Sequence, residues 1–286
     1  MESRKSPLAG RRAILASMHG KERAIGPVFK EILGVDIEVL GDLDTDQFGT
    51  FSGEVERPGT MDEALVAKAR HGLKISGLDL AVASEGSFGP HPQMPFIPAG
   101  LEKLVLIDAK AGLVAIEHSL DMSPCYASWE ARSLSDIADR VHAAGFPRQA
   151  MIVRPNAGSP ARVQKGIQDF EHLEASIAQA ALASSDGLAL VQTDMRAHFN
   201  PRRMKSIESL ARKFADRLSR ACPSCEAPGW GVKRTERGLP CSWCGAPTEW
   251  VLNEVMGCFV CDNERPELRS DGLSEADPAH CPYCNP

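Results

Sequence analysis

No stretch of this chain approaches the roughly 18 consecutive apolar residues of a membrane-spanning helix, so the sequence predicts no helical span. Positive charge is also short: 32 Lys and Arg stand against 38 Asp and Glu, a formal net charge of −6. Affinity for nucleic acid rests on clustered Lys and Arg, so DNA and RNA are not expected partners. No secretion signal is expected either. The start, MESRKSPLAGRR, is basic, but the apolar run Ala13 to Ala16 behind it is far too short for a signal peptide. The expected compartment is the cytoplasm, where thiols stay reduced and closely spaced cysteine pairs mean metal more often than disulfide. Isolated cysteines are nearly absent: of nine, Cys125 alone lies outside a Cys-x-x-Cys pair, and it reads as buried filler.

The other eight form four knuckles, Cys222/Cys225, Cys241/Cys244, Cys258/Cys261 and Cys281/Cys284. Fifteen residues separate the first pair from the second and nineteen the third from the fourth, spacings usual for two-knuckle zinc sites. Four thiolates suit Zn²⁺, which imposes little geometry beyond four-coordination and would here be structural, with no position left for water. Two zinc ions are expected. Sequential pairing gives two ribbons in tandem; the alternative, first knuckle with third and second with fourth, gives a cross-braced module. From Ala221 to Pro286 five Lys and Arg stand against ten Asp and Glu, a net of −5. This acidic module reads as a core too small to hold without metal, or as a surface for dimerisation or a protein partner through Trp230, Trp243 and Trp250.

Residues 1–220 alternate strand and helix patterns. Strands are predicted at Ala13 to Ser17, Val35 to Leu40, Leu78 to Ala83, Ala150 to Val153 and Leu188 to Val191, with a hairpin from Leu104 to Ile107 and Leu113 to Glu117. Helices are predicted from Lys21 to about Leu33, at Asp62 to Ser76, and at about Leu134 to Ala144, Val163 to Ala183 and Pro201 to Arg220. The fold class expected is α/β, a mixed sheet flanked by helices, with a boundary near Ala221 and the zinc module after it.

Three segments place polar residues where strands end. Ser17-Met18-His19-Gly20-Lys21 leads into a helix, whose free N–H groups and nearby lysine suit phosphate. Asp42, Asp44, Asp46, Glu54 and Glu56 crowd one loop, a carboxylate density that suits Mg²⁺. Ser84-Glu85-Gly86-Ser87 closes a buried strand, the edge at which α/β sheets gather ligands.

The order strand, Ser17-x-x-Gly20-Lys21, helix, acidic loop, Glu63-x-x-x-x-Lys68-Ala69-Arg70, then Ala83-Ser84-Glu85-Gly86-Ser87 resembles the inosine/xanthosine triphosphate pyrophosphatase superfamily over residues 13–118. Those enzymes cleave noncanonical nucleoside triphosphates to monophosphate and pyrophosphate with Mg²⁺. The resemblance implies that Ser17, His19 and Lys21 bind the triphosphate, that Glu54 or Glu56 holds Mg²⁺, and that Lys68, with Glu63 on the same helix, serves catalysis. It implies that Glu85 is the base or a second metal ligand. His198, Arg202 and Arg203 fall where the superfamily sets a His-Arg pair against base and phosphate. His19 stands where those enzymes carry Asn, and Ser84 replaces the first of two adjacent acids. The expected ligand is a nucleotide-like small molecule; the alternative is a noncatalytic nucleotide-binding adaptor that docks a partner through its zinc ribbons. The whole chain also resembles an uncharacterised bacterial protein family.

Overall fold

The computed structural model describes residues 6–40, 59–91, 94–158 and 163–285. A first sheet is built from β1 (Arg12–Ala16), β2 (Asp36–Val39), β3 (Leu80–Pro90), β4 (Pro98–Asp108) and β5 (Leu113–Asp121), in the order β2-β1-β3-β4-β5. β1 runs parallel to β2 and β3, whereas β3, β4 and β5 form an antiparallel meander. The sheet is therefore mixed, as the sequence predicts.

The alternation of side chains along each strand divides its core into two layers. Ala13 and Leu15 of β1, Leu80 and Val82 of β3 and Leu104 and Leu106 of β4 face α1 (Glu22–Leu33) and the long last helix Pro201–Leu218. Ile14, Ala16, Ala81, Ala83, Val105 and Ile107 face α2 (Met61–Ser76) through Leu65 and Ala69. A capping box at Thr60 and Glu63 starts α2, and left-handed Gly77 ends it. Gly72 lets α2 approach closely: a Cβ there would lie 3.1 Å from that of Ala16.

A second sheet holds β6 (Ser128–Ala131), β7 (Met151–Pro155), β8 (Gln164–Ile167) and β9 (Ala189–Thr193), antiparallel in the order β6-β9-β7-β8. Short α3 (Ala138–Ala143) and α4 (Phe170–Ala183) accompany it, and Val141, Leu173 and Ile177 pack on Met151, Val153 and Val191. Two expectations are corrected here. The segment predicted as one helix from Val163 is strand β8 followed by α4, and the helix predicted from Leu134 is a 3-10 turn followed by α3. After β9 the chain passes a 3-10 turn at Ala197–Phe199 into α5 (Pro201–Leu218), which Asn200 caps by accepting from the Arg203 N–H.

The last segment folds as a three-stranded antiparallel sheet, β10 (Gly231–Arg237), β11 (Val251–Gly257) and β12 (Glu264–Leu268), with the knuckles in the loops around it. No helix among the described residues is long and apolar enough to cross a membrane.

Candidate functional site

Parallel pairing sets Ala16 of β1 beside Ala83 of β3, so the next residues, Ser17 just past the end of β1 and Ser84 within β3, stand side by side. Their hydroxyl oxygens are 3.0 Å apart. Successive residues on a strand point to opposite faces, and this divides the site into two halves. Ser84 follows Val82 toward α1, where the Lys21 Nζ donates to its Oγ at 2.9 Å. Glu85 follows Ala83 toward α2, where its carboxylate meets the ammonium of Lys68.

One step further along β3, Gly86 pairs with Glu102 of β4. Glu102 forms a buried ion pair with Arg203 of α5, Nε to Oε1 at 2.5 Å, and Arg203 also donates to the Met195 carbonyl. A Cβ on residue 86 would lie 2.8 Å from both Glu102 oxygens and closer still to Arg203, so any side chain there would displace this ion pair. The guanidinium of Arg203 also stacks on Phe88, 4.9 Å from the ring centre.

Three cations of this cluster are at least nine-tenths buried: Lys21, Lys68 and Arg203. Its two buried carboxylates, Glu85 and Glu102, pair with Lys68 and Arg203. Asp194, fully buried, is held by Arg196. Lys21 thus remains a buried cation hydrogen-bonded to a neutral hydroxyl. Burial, reinforced by the charge of Arg203 and opposed by Glu102 and Glu85, brings its pKa from 10.5 down to about 8.

At the rim, His19 adopts a left-handed φ of 71° and stacks on His198, ring centres 5.1 Å apart. Burial first, then the positive surroundings, lower the His19 pKa to about 4, so the ring is neutral at pH 7. No side chain caps the N-terminus of α1, whose first N–H groups lie beside this turn.

Of the residues singled out from sequence, Ser17, His19, Lys21, Lys68, Glu85, His198 and Arg203 come together here. Arg203 arrives as the partner of Glu102 rather than as a free phosphate ligand. Glu63 does not join: its carboxylate accepts from the Thr60 N–H at 2.7 Å, closing the capping box at the N-terminus of α2. Arg202 points away, its guanidinium 3.3 Å from the Ser123 carbonyl. Glu54 and Glu56 lie outside the described residues, as do Asp42, Asp44 and Asp46. His91 uses its ring in its own loop, where Nδ1 accepts from the Met94 N–H. Cys125 is buried and its thiol donates to the Ala144 carbonyl. Sequence reasoning missed Glu102, although an acid two residues before inward-facing Leu104 is a signal once the strand is extended that far.

The cysteines form two groups, Cys222, Cys225, Cys258 and Cys261, and Cys241, Cys244, Cys281 and Cys284. The module is cross-braced, which corrects the tandem-ribbon expectation. The antiparallel run of β10 and β11 explains the crossing: Gly231, just after the first knuckle, pairs with Gly257, just before the third. Within each group all four sulfurs lie within 4.8 Å of one another, with Sγ–Sγ separations such as 3.7 Å for Cys222/Cys261 and 3.6 Å for Cys244/Cys281. A tetrahedron of thiolates around Zn²⁺ at about 2.3 Å has edges of about 3.8 Å. Each group can hold one metal ion, and its geometry is compatible with zinc.

The first centre is bolted to the α/β domain. Arg217 of α5 lies over the Phe259 ring at 4.0 Å, donates to the Gly229 carbonyl at 3.1 Å and pairs with Glu117 of β5 at 3.0 Å.

A domain of unknown function, DUF6671, matches residues 68–286, from Lys68 through the last knuckle. The chain belongs to this family. The DUF6671 match therefore takes in Lys68, Ser84, Glu85, Glu102, Arg203 and all eight knuckle cysteines, while Ser17, His19 and Lys21 precede it. No curated protein matches the chain.

Proposed function

We propose that the Lys21 cluster binds the phosphate groups of a nucleotide-like substrate and that the chain hydrolyses it, as a Mg²⁺-dependent nucleoside triphosphate pyrophosphatase would. The observation that carries this reading is Lys21 itself, a buried cation whose hydrogen-bond partner among the described residues is a hydroxyl rather than a carboxylate. Burying a charge with no ion-pair partner among the described residues is costly, and an anion seated against Lys21, Ser17 and Ser84 would offset that cost. The uncapped N-terminus of α1 adds N–H groups suited to the same anion. The resemblance of the motifs in residues 13–118 to those of the inosine/xanthosine triphosphate pyrophosphatases supports the same reading from sequence.

In this reading the ammonium of Lys21 and the two hydroxyls hold the phosphate oxygens. Glu85 orients a water for in-line attack and accepts its proton, and Lys68 keeps that carboxylate aimed. His19 and His198, stacked at the rim, contact the remainder of the substrate. Among the described residues the cluster offers one carboxylate to a cation, Glu85, so a Mg²⁺ there would draw its other ligands from substrate and water. When bound, Mg²⁺ would offset the charge on the phosphate oxygens. The two tetracysteine centres are assigned to zinc in a structural role, since protein thiolates fill every position.

The test is release of pyrophosphate or phosphate from a panel of canonical and modified nucleoside triphosphates with Mg²⁺, wild type against Glu85→Gln. Turnover that falls by about 10²-fold or more in the variant supports the reading. A folded, metal-loaded wild type that turns over no triphosphate overturns it in favour of the adaptor. One observation favours that second reading: Lys68 already holds the Glu85 carboxylate, as a structural ion pair would.

A further inference from the structure

We propose that the second metal centre is a docking surface for an arginine-bearing segment of another protein, whose guanidinium groups stack on Trp243 and Tyr283. Both rings stand at the third position of a knuckle, Cys241-Ser242-Trp243-Cys244 and Cys281-Pro282-Tyr283-Cys284. The two knuckles belong to one centre, so the rings rise from the same metal-capable cage. Trp243 is 79% exposed and Tyr283 75%. The other tryptophans of the module have partners within it: Trp230 is buried against Cys222, Met256 and Cys258, and Trp250 packs on His280 with ring centres 4.7 Å apart.

The first centre shows what covers a knuckle ring in this chain. Phe259 stands between Cys258 and Cys261, and the guanidinium of Arg217 lies 4.0 Å above it. An arginine from α5 thus seals the first centre to its neighbour. The second centre offers two exposed aromatic faces, and the arginines that flank it in sequence, Arg237 and Arg269, are already engaged by Glu249 and Asp271. Residues 237–250 and 269–286 hold those two arginines against Glu249, Asp271, Glu275 and Asp277, a net of −2, and Glu275 and Asp277 are not in either pair. Four thiolates around a divalent ion add about two further negative charges. An acidic surface with exposed aromatic faces attracts a cation, and arginine over lysine, because a planar, weakly hydrated guanidinium stacks on a ring. The same charge repels a phosphate backbone.

The experiment is calorimetric titration of the full-length, metal-loaded protein with two peptides of equal length and charge, one carrying arginines and the other lysines at the same positions. The arginine peptide is expected to bind more tightly. Trp243→Ala and Tyr283→Ala should each weaken it about five-fold while metal content and melting temperature hold, since both side chains are exposed. Equal affinity for the two peptides, or arginine-peptide binding untouched by both substitutions, overturns the proposal. So does a Trp243-dependent self-association or Trp243-dependent binding of a uridine oligomer, each of which would assign the surface to a different occupant.

Discussion

At the scale of a single residue, Lys21 has two opposite pH dependences, one for folding and one for binding. Its folded-state pKa is about 8 against an ordinary 10.5. Between those values the unfolded chain holds the proton that the folded chain has shed, so this lysine's contribution to stability rises with pH across that window. Below it, both states are protonated and the folded state bears the cost of a buried charge. A bound anion reverses the preference because it stabilises the ammonium. Anion affinity is therefore full below about pH 8 and declines above it. Sulfate, which does not titrate in this range, is the probe. Its affinity for the protein should fall from pH 7 to pH 9, whereas Lys21→Met should bind weakly and equally at both. An affinity that is flat with pH in the wild type would remove Lys21 from the site. The neighbouring pair behaves differently: Lys68 and Glu85 compensate each other across the α2 face, and neither demands a ligand on charge grounds.

At the scale of elements, α5 connects everything the chain does. Its N-terminal end brings Arg203 to Glu102 beneath Gly86, and its C-terminal end brings Arg217 to Glu117, Gly229 and Phe259. Arg217→Ala removes the lid on Phe259 and one of two cations facing Glu117, which Lys213 still reaches at 3.0 Å. We expect a loss of about 2 kcal/mol, less than for a buried carboxylate left with no partner. Thermal unfolding would measure it, and hydrogen exchange should show the lost protection concentrated in α5 and the first centre. An unchanged melting curve would mean that the module is held elsewhere. Much of this architecture was legible beforehand. The apolar faces of α1, α2 and α5 repeat at helical spacing, and β1 and the start of β3 are short apolar runs closed by glycine or serine. The far half of β3 was hidden because Gly86, Gly89 and Pro90 look like loop, yet pairing with β4 continues through all of them. β8 was hidden because Gln164-Lys165-Gly166-Ile167 is too polar to read as strand; the sheet supplies what propensity does not. Ser84 and Glu85 read in sequence as closing the strand, whereas β3 runs on through them to Pro90; alternation along it could have assigned each to its lysine. Glu102 with Arg203 was not legible, since nothing local ties residues 101 positions apart.

At the scale of the whole molecule, the question is how a small acidic module holds its shape, and the two cysteine groups answer it by topology. The module sheet buries few large side chains beyond Trp230, Val255 and Met256, so metal closure must hold the loops together. Spacing along the chain favoured neighbouring knuckles as partners, because short loops close at lower entropic cost. Cross-bracing wins because β10 and β11 first bring the distant first and third knuckles side by side, and the second and fourth then meet at the other end. This makes a prediction that single cysteine substitutions cannot test. Cys225→Ser with Cys258→Ser damages one centre if the module is cross-braced and two if the pairing is sequential. The double variant should therefore retain one bound metal ion per chain. Cys225→Ser with Cys244→Ser, which spans both cross-braced centres, should retain none. Metal content by mass spectrometry under native conditions reads both results directly. The reverse pattern, none for the first pair and one for the second, would restore the tandem ribbons and detach Phe259 and Arg217 from any shared role at a metal centre.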